Sequence, residues 1–260
     1  MQTNGLGRWI GLAACLWAAA AFAQEAPEPV VLTVLGTNYT AKELGVEADS
    51  PPDLLLTRTF TKIQGGIMGA YSEKLNYQPS EEELKEYCRR AAPTAEDMDA
   101  IYGQDHPAFL NPDMIFEGLW QDWQREADDK YGAMQMAAND LKEWKFAQAL
   151  FAQYGGRVCM GSFNIPGAVE AARSHLAAGE AAGDFTIHAA DLRERYWALI
   201  RTPPPGPLMP EEEGRAALAE HPADRQKREA VKGLTEHLQG KPRRRPDPEP
   251  PGCLGEATLP

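Results

Sequence analysis

Apolar residues along this chain recur at two spacings. Residues 30–36, VVLTVLG, are β-branched and apolar and close on a glycine, a pattern that favours a short buried strand. Thr40 and Glu43 follow at the T-x-x-E spacing of a capping box, in which hydroxyl and carboxylate each satisfy backbone N–H groups at a helix start. The expected order is strand, turn, helix. After the break at Ser50-Pro51-Pro52, Leu56, Phe60, Ile63, Ile67 and Tyr71 recur at helical spacing. Gly65, Gly66 and Gly69 fall inside that stretch, and each weakens a helix by about 1 kcal/mol relative to alanine. Either the helix is interrupted there or another backbone packs closely against it.

Ser80 with Glu83, preceded by Pro79 and followed by acidic first-turn residues, marks a second and stronger helix start. Leu84, Tyr87 and Cys88 are its expected buried positions. Residues 95–113 read as a loop with a short helix. From Pro112 one or two helices run to Gly155-Gly156, with Ala137, Leu141, Trp144, Ala147, Phe151 and Tyr154 on one face and Trp120 and Trp123 beside it. RVCMGSF, 157–163, reads as a second strand expected to pair with 30–36, because a two-stranded ribbon needs a partner and a packed face. Helices ending at Gly183 and spanning 189–200 follow, the latter with Leu192, Tyr196 and Leu199 or Ile200 inward. The fold class expected is mainly α, a helical cradle clamped by that short β pair.

Composition divides the chain further. Arg8, the apolar run 9–23 and Ala21-Phe22-Ala23 match an export signal cleaved near Gln24, which places the protein in the periplasm or outside the cell. The run is shorter than the roughly 20 residues of a membrane span. LAAC at 12–15 resembles a lipoprotein box at Cys15, but it leaves too short an apolar region. Loss of one arginine with the leader turns 26 basic residues into 25 against 38 acidic, a net charge of −13. Such a surface repels nucleic acid and anionic lipid. The expected organisation is a signal at 1–23, a helical domain at 24–200, a Pro-rich linker and charged helix at 201–240, and a tail at 241–260 too proline-rich to pack. The KPRRRP run at 241–246 reads as solvated linker.

Little chemistry stands out. The five histidines make no H-E-x-x-H and no cluster with cysteine, and no C-x-x-C, G-x-S-x-G or phosphate loop occurs. No cofactor, metal or catalytic residue is assigned. Asp184, His188 and Asp191 lie close enough in sequence for a small polar site, although a helix cap explains them equally, and QDHP at 104–107 is similar. Among Cys88, Cys159 and Cys253, Cys88 to Cys159 is the one bridge to test, leaving Cys253 a free thiol.

The segments VVLTVLGTNYTAKEL and YQPSEEELKEY, and the long helix closing in LFAQYGG, resemble the N-terminal chaperone region of the SurA and PrsA type of exported folding factors. YGGRV, GDFTI and LRERYW resemble exported proteins that keep this region without an isomerase domain. The resemblance implies that the first strand pairs with a strand after the long helix. It also implies a cradle of helices that holds unfolded outer-membrane or secreted clients. The parvulin domain, with its paired histidines and GGDLG-like run, has no counterpart here, so no catalytic residue carries over. The expected function is a holdase without prolyl isomerase activity, with Tyr71, Trp120, Trp123 and Tyr154 as peptide-binding residues. The alternative is an envelope scaffold docking one partner through 210–240 and the tail.

Overall fold

The computed structural model describes residues 28–102, 111–127, 129, 132–160, 166–204 and 206–238. The expected export signal, QDHP, KPRRRP and Cys253 lie outside them. The protein is mainly α, with two small antiparallel sheets.

The first sheet forms at the start of the chain. β1 (Val30–Val34) turns at Leu35-Gly36 into β2 (Thr37–Thr40). Both turn residues have positive φ, 47° and 77°, the two-residue hairpin geometry whose twist suits the flanking strands. On β1's other side lies β5 (Phe185–Ile187). Leu32 and Val34 alternate inward and meet Phe185 and Ile187 in one core cluster. The Thr40–Glu43 box is formed, with Thr40 N–H donating to Glu43 Oε2 (2.8 Å) and Glu43 N–H to Thr40 Oγ1 (3.2 Å). It closes only a turn, because Gly45 at φ +72° leaves the helical region.

The pairing of 30–36 with 157–163 does not occur. Both edges of β1 are filled, by β2 and β5, and β3 (Val158–Met160) sits in a second sheet between β4 (Pro166–Gly167) and β6 (Leu208–Met209). The hairpin to β2 closes one edge at small loop-entropy cost, and β5 takes the other edge although it lies farther along the chain than β3. The partner of β1 that follows the long helix is β5, brought in by the turn at Gly183.

α1 (Leu54–Leu75) runs unbroken through its glycines. Gly66 lies against β1: a Cβ there meets Val34 Cγ1 at 2.7 Å, whereas Gly65 and Gly69 face open space. Close approach of the Val34 side chain, rather than of another backbone, therefore accounts for one of the three. α2 (Glu81–Ala91) begins at Ser80 with both arms of its capping box made, and Tyr87 and Cys88 are buried. α3 (Ala95–Tyr102) and α4 (Pro112–Arg125) lead to α5 (Ala133–Tyr154), whose expected face is buried from Ala137 to Phe151, with Tyr154 half-buried. α6 (Val169–Ala182) and α7 (Ala190–Arg201) cover the first sheet with Leu176, Leu192, Tyr196 and Ile200.

The packed body does not end near residue 200. α8 (Glu211–Ala219) and α9 (Pro222–Leu238) are part of it. Leu218 is buried with Leu150 and Val158, and Ala223 with Tyr87, Leu141 and Trp144. Trp144 Nε1 and Gln148 Nε2 both donate to the Leu218 carbonyl at 2.7 Å. Arg225, only 4% exposed, donates to the Ala217 carbonyl and pairs with Glu220. The charged helix is thus docked, with its polar groups committed to the interface.

The Cys88–Cys159 bridge to be tested is absent. Cys88 is a free, buried thiol beside Phe116 and Trp120, while Cys159 is disulfide-bonded elsewhere.

Candidate functional site

The four expected peptide-binding aromatics separate into two pairs. Tyr71 of α1 and Tyr154 of α5 converge on His175 of α6. Tyr71 OH donates to Gln153 Oε1 (3.3 Å), Gln153 Nε2 donates to Tyr154 OH (3.1 Å), and Tyr154 OH lies 3.1 Å from His175 Nδ1. Tyr154 OH and His175 Nδ1 share one hydrogen bond whose direction follows the imidazole tautomer, and the other ring nitrogen, Nε2, is buried. Tyr71 stacks obliquely on the imidazole at 4.7 Å between centroids and takes the edge of Phe146 at 5.6 Å. Burial lowers the His175 pKa and raises that of the Tyr71 phenol. The knot is therefore neutral at pH 7, a set of hydrogen bonds and ring faces.

Trp120 and Trp123 of α4 lie 6.5 Å apart by ring centroid, in different surroundings. Trp120 is 5% exposed and fills the core with Cys88, Ala92 and Phe116, so it presents no surface to a partner. Trp123 is half-buried and bridges to Tyr87 at 6.2 Å. The tyrosine pair flanks the cluster around Leu150, Phe151 and Val158, and the tryptophan pair belongs to those around Tyr87 and Cys88. A single groove lined by all four is not formed.

Asp140 of α5 accepts from Tyr87 OH and from Gln226 Nε2 of α9, each at 2.6 Å, a buried bond set with no sequence signature. Burial raises its pKa because both donors are neutral. Neighbouring Glu143 is raised too, by burial and then by Asp140. His221 is wedged between Tyr87 (5.6 Å) and Trp144 (5.1 Å), and burial lowers its pKa. No spacing pattern marks these three, because their partners lie on distant segments. The Cys88 thiol is pushed up to about 11 by burial, which keeps it protonated and unreactive.

Between α6 and α7 lies a shallow cleft of about 390 Å³ lined by Ala177, Glu180, Ala190, Arg193, Trp197 and Arg201. Glu180 accepts two bonds from Arg193, at 2.7 and 2.8 Å, and one from Trp197 Nε1 at 3.0 Å, so its lone pairs are largely spent. Asp184, His188 and Asp191 do not form a shared site. His188 Nε2 meets Thr33 Oγ1 (2.8 Å) on the first sheet, the Asp184 carbonyl accepts from Leu35 N–H (2.7 Å), and Asp191 sits in the first turn of α7. Among the described residues no three His, Cys, Asp or Glu side chains converge as metal ligands, and no helix is long and apolar enough to cross a membrane. No family model matches the chain, and no curated protein or solved structure matches it either.

Proposed function

We propose that this is an exported, non-catalytic, chaperone-like holdase of the SurA type, which binds unfolded or extended polypeptide through its helical lobe. One observation carries the reading. Tyr102, Met114, Met136, Leu234 and Leu238 are exposed on α3, α4, the start of α5 and the end of α9. α4, α5 and α9 contribute to the Tyr87 and Trp120 clusters, and half-buried Trp123 belongs to the same lobe. Flexible methionines and single aromatic or leucine side chains offer weak, shape-tolerant apolar contact, which suits many unfolded sequences better than one folded partner. The acidic surface keeps the protein itself soluble while it does so.

The alternative, a scaffold docking one partner through 210–240 and the tail, has less free surface on α8 and α9, whose Leu218, Ala223 and Arg225 pack on the body. Light scattering of a diluted, unfolded outer-membrane protein tests the holdase directly. The purified full chain suppresses the signal at near-equimolar ratio, and a Met114→Ser, Met136→Ser, Leu238→Ser variant loses suppression at unchanged thermal stability. Suppression undiminished in that variant would remove the helical lobe from the mechanism.

A further inference from the structure

On α7, Glu194, Trp197 and Arg201 stand at i, i+3 and i+7, a spacing that puts them on one helical face. All three line the cleft of about 390 Å³ between α6 and α7, a volume within the usual range of small-molecule sites. Ala177 and Ala190 complete the wall, and their short side chains leave the space open. Trp197 is fixed in place. Its Nε1 donates to Glu180 Oε2 (3.0 Å), its ring meets Tyr196 edge to face at 5.3 Å, and it packs on the first core cluster. The indole is thus a rigid apolar platform in the middle of the cleft.

The charges around that platform divide into a spent pair and an unspent pair. Glu180 takes Nε and Nη2 of Arg193 as a fork, and the two cancel. Glu194 and Arg201 are exposed, and among the described residues neither side chain makes a hydrogen bond or an ion pair. Along α7 the cleft therefore offers a carboxylate, an indole and a guanidinium, in that order, with a formal charge that sums to zero. A simple anion meets repulsion at one end and a simple cation at the other, whereas a zwitterion satisfies both.

Spacing selects among zwitterions. Seven residues of helix separate the Cα atoms of Glu194 and Arg201 by about 10 Å, and the long side chains shorten the gap between their charged heads. In a free α-amino acid both charged groups leave one carbon, too close together to reach both ends. In an extended dipeptide the termini lie about 7 Å apart. We infer that the cleft binds a short zwitterionic peptide of two residues, its ammonium on Glu194, its carboxylate on Arg201 and an apolar side chain on the Trp197 indole. An unfolded client, whose two termini lie far apart, does not fit this description. The site is therefore separate from client binding on the helical lobe and does not depend on it.

The test is a titration of the full chain, with its tryptophans labelled with ¹⁵N, using the dipeptide phenylalanyl-alanine, followed by calorimetry and by the indole N–H resonances. A Trp197→Phe chain assigns the resonance of interest. The expected result is saturable binding that shifts the Trp197 resonance. Arg201→Gln and Glu194→Gln, both at exposed positions, are each expected to weaken binding about tenfold at unchanged melting temperature, as loss of one charged hydrogen-bond partner does. The N-acetylated, C-amidated dipeptide is expected to bind more weakly by at least as much. A Trp197 resonance that stays put at millimolar dipeptide overturns the inference. So does a blocked dipeptide or free phenylalanine that binds as well as phenylalanyl-alanine, or an Arg201→Gln chain that binds like the native one. The Met114→Ser, Met136→Ser, Leu238→Ser chain is expected to bind the dipeptide unchanged, and loss of binding there would contradict a site on α6 and α7.

Discussion

At the scale of single residues, conformational strain and close approach make sharp predictions. Leu35 holds φ at +47° in the hairpin turn while 52% exposed, so it bears the left-handed penalty of about 1 kcal/mol and buries little in return. Leu35→Asn is expected to raise stability by about that amount in urea titration. Gly66→Ala drives a methyl into Val34 and is expected to cost about 1–3 kcal/mol. Gly65→Ala and Gly69→Ala face open space and gain about 0.5–1 kcal/mol. The sequence presents three similar glycines, and only the distant strand distinguishes them. His175 gives a pH signature. Burial depresses its folded pKa below the unfolded value of 6.5, so its stability contribution is complete above that value and is lost as pH falls through the folded one. A His175→Gln chain loses less stability than the native one between about pH 7 and about pH 5.5.

At the scale of elements, local signals were legible where one segment contains both partners. Ser80 and Glu83 satisfy each other within four residues, and Ser80→Ala is expected to cost about 1 kcal/mol by thermal melting. The same motif at Thr40 and Glu43 forms its bonds but builds no helix, since Gly45 ends the turn. The buried face of α5 was legible from its period because it is long and regular. Strand partners were not, because a three-residue strand such as Phe185–Ile187 carries too few positions for alternation to register. The docking of α8 and α9 was hidden for a different reason: it uses a small residue, Ala223, and polar bonds from Trp144, Gln148 and Arg225, none of which enriches hydrophobicity. Breaking one partner of such a buried ion pair costs about 3–5 kcal/mol. Arg225→Ala is accordingly expected to lower the melting temperature markedly, and deletion from residue 203 leaves a chain that aggregates rather than a working body.

At the scale of the whole molecule, two sheets and a helical lobe share one body. The aromatics expected to hold clients are spent unequally: Trp120 on the core, Tyr71 and Tyr154 on the knot with His175, and Trp123 at the lobe's margin. Met114, Met136 and Leu238, which no periodicity marks, are exposed apolar residues of the lobe, and the proposed binding rests on them. The central claim is that this lobe holds unfolded chains. It is tested most directly by light scattering of an unfolded outer-membrane protein diluted into the native chain and into the Met114→Ser, Met136→Ser, Leu238→Ser variant. The account predicts suppression by the native chain at near-equimolar ratio and its loss in the variant; a native chain that leaves the scattering unchanged would contradict it.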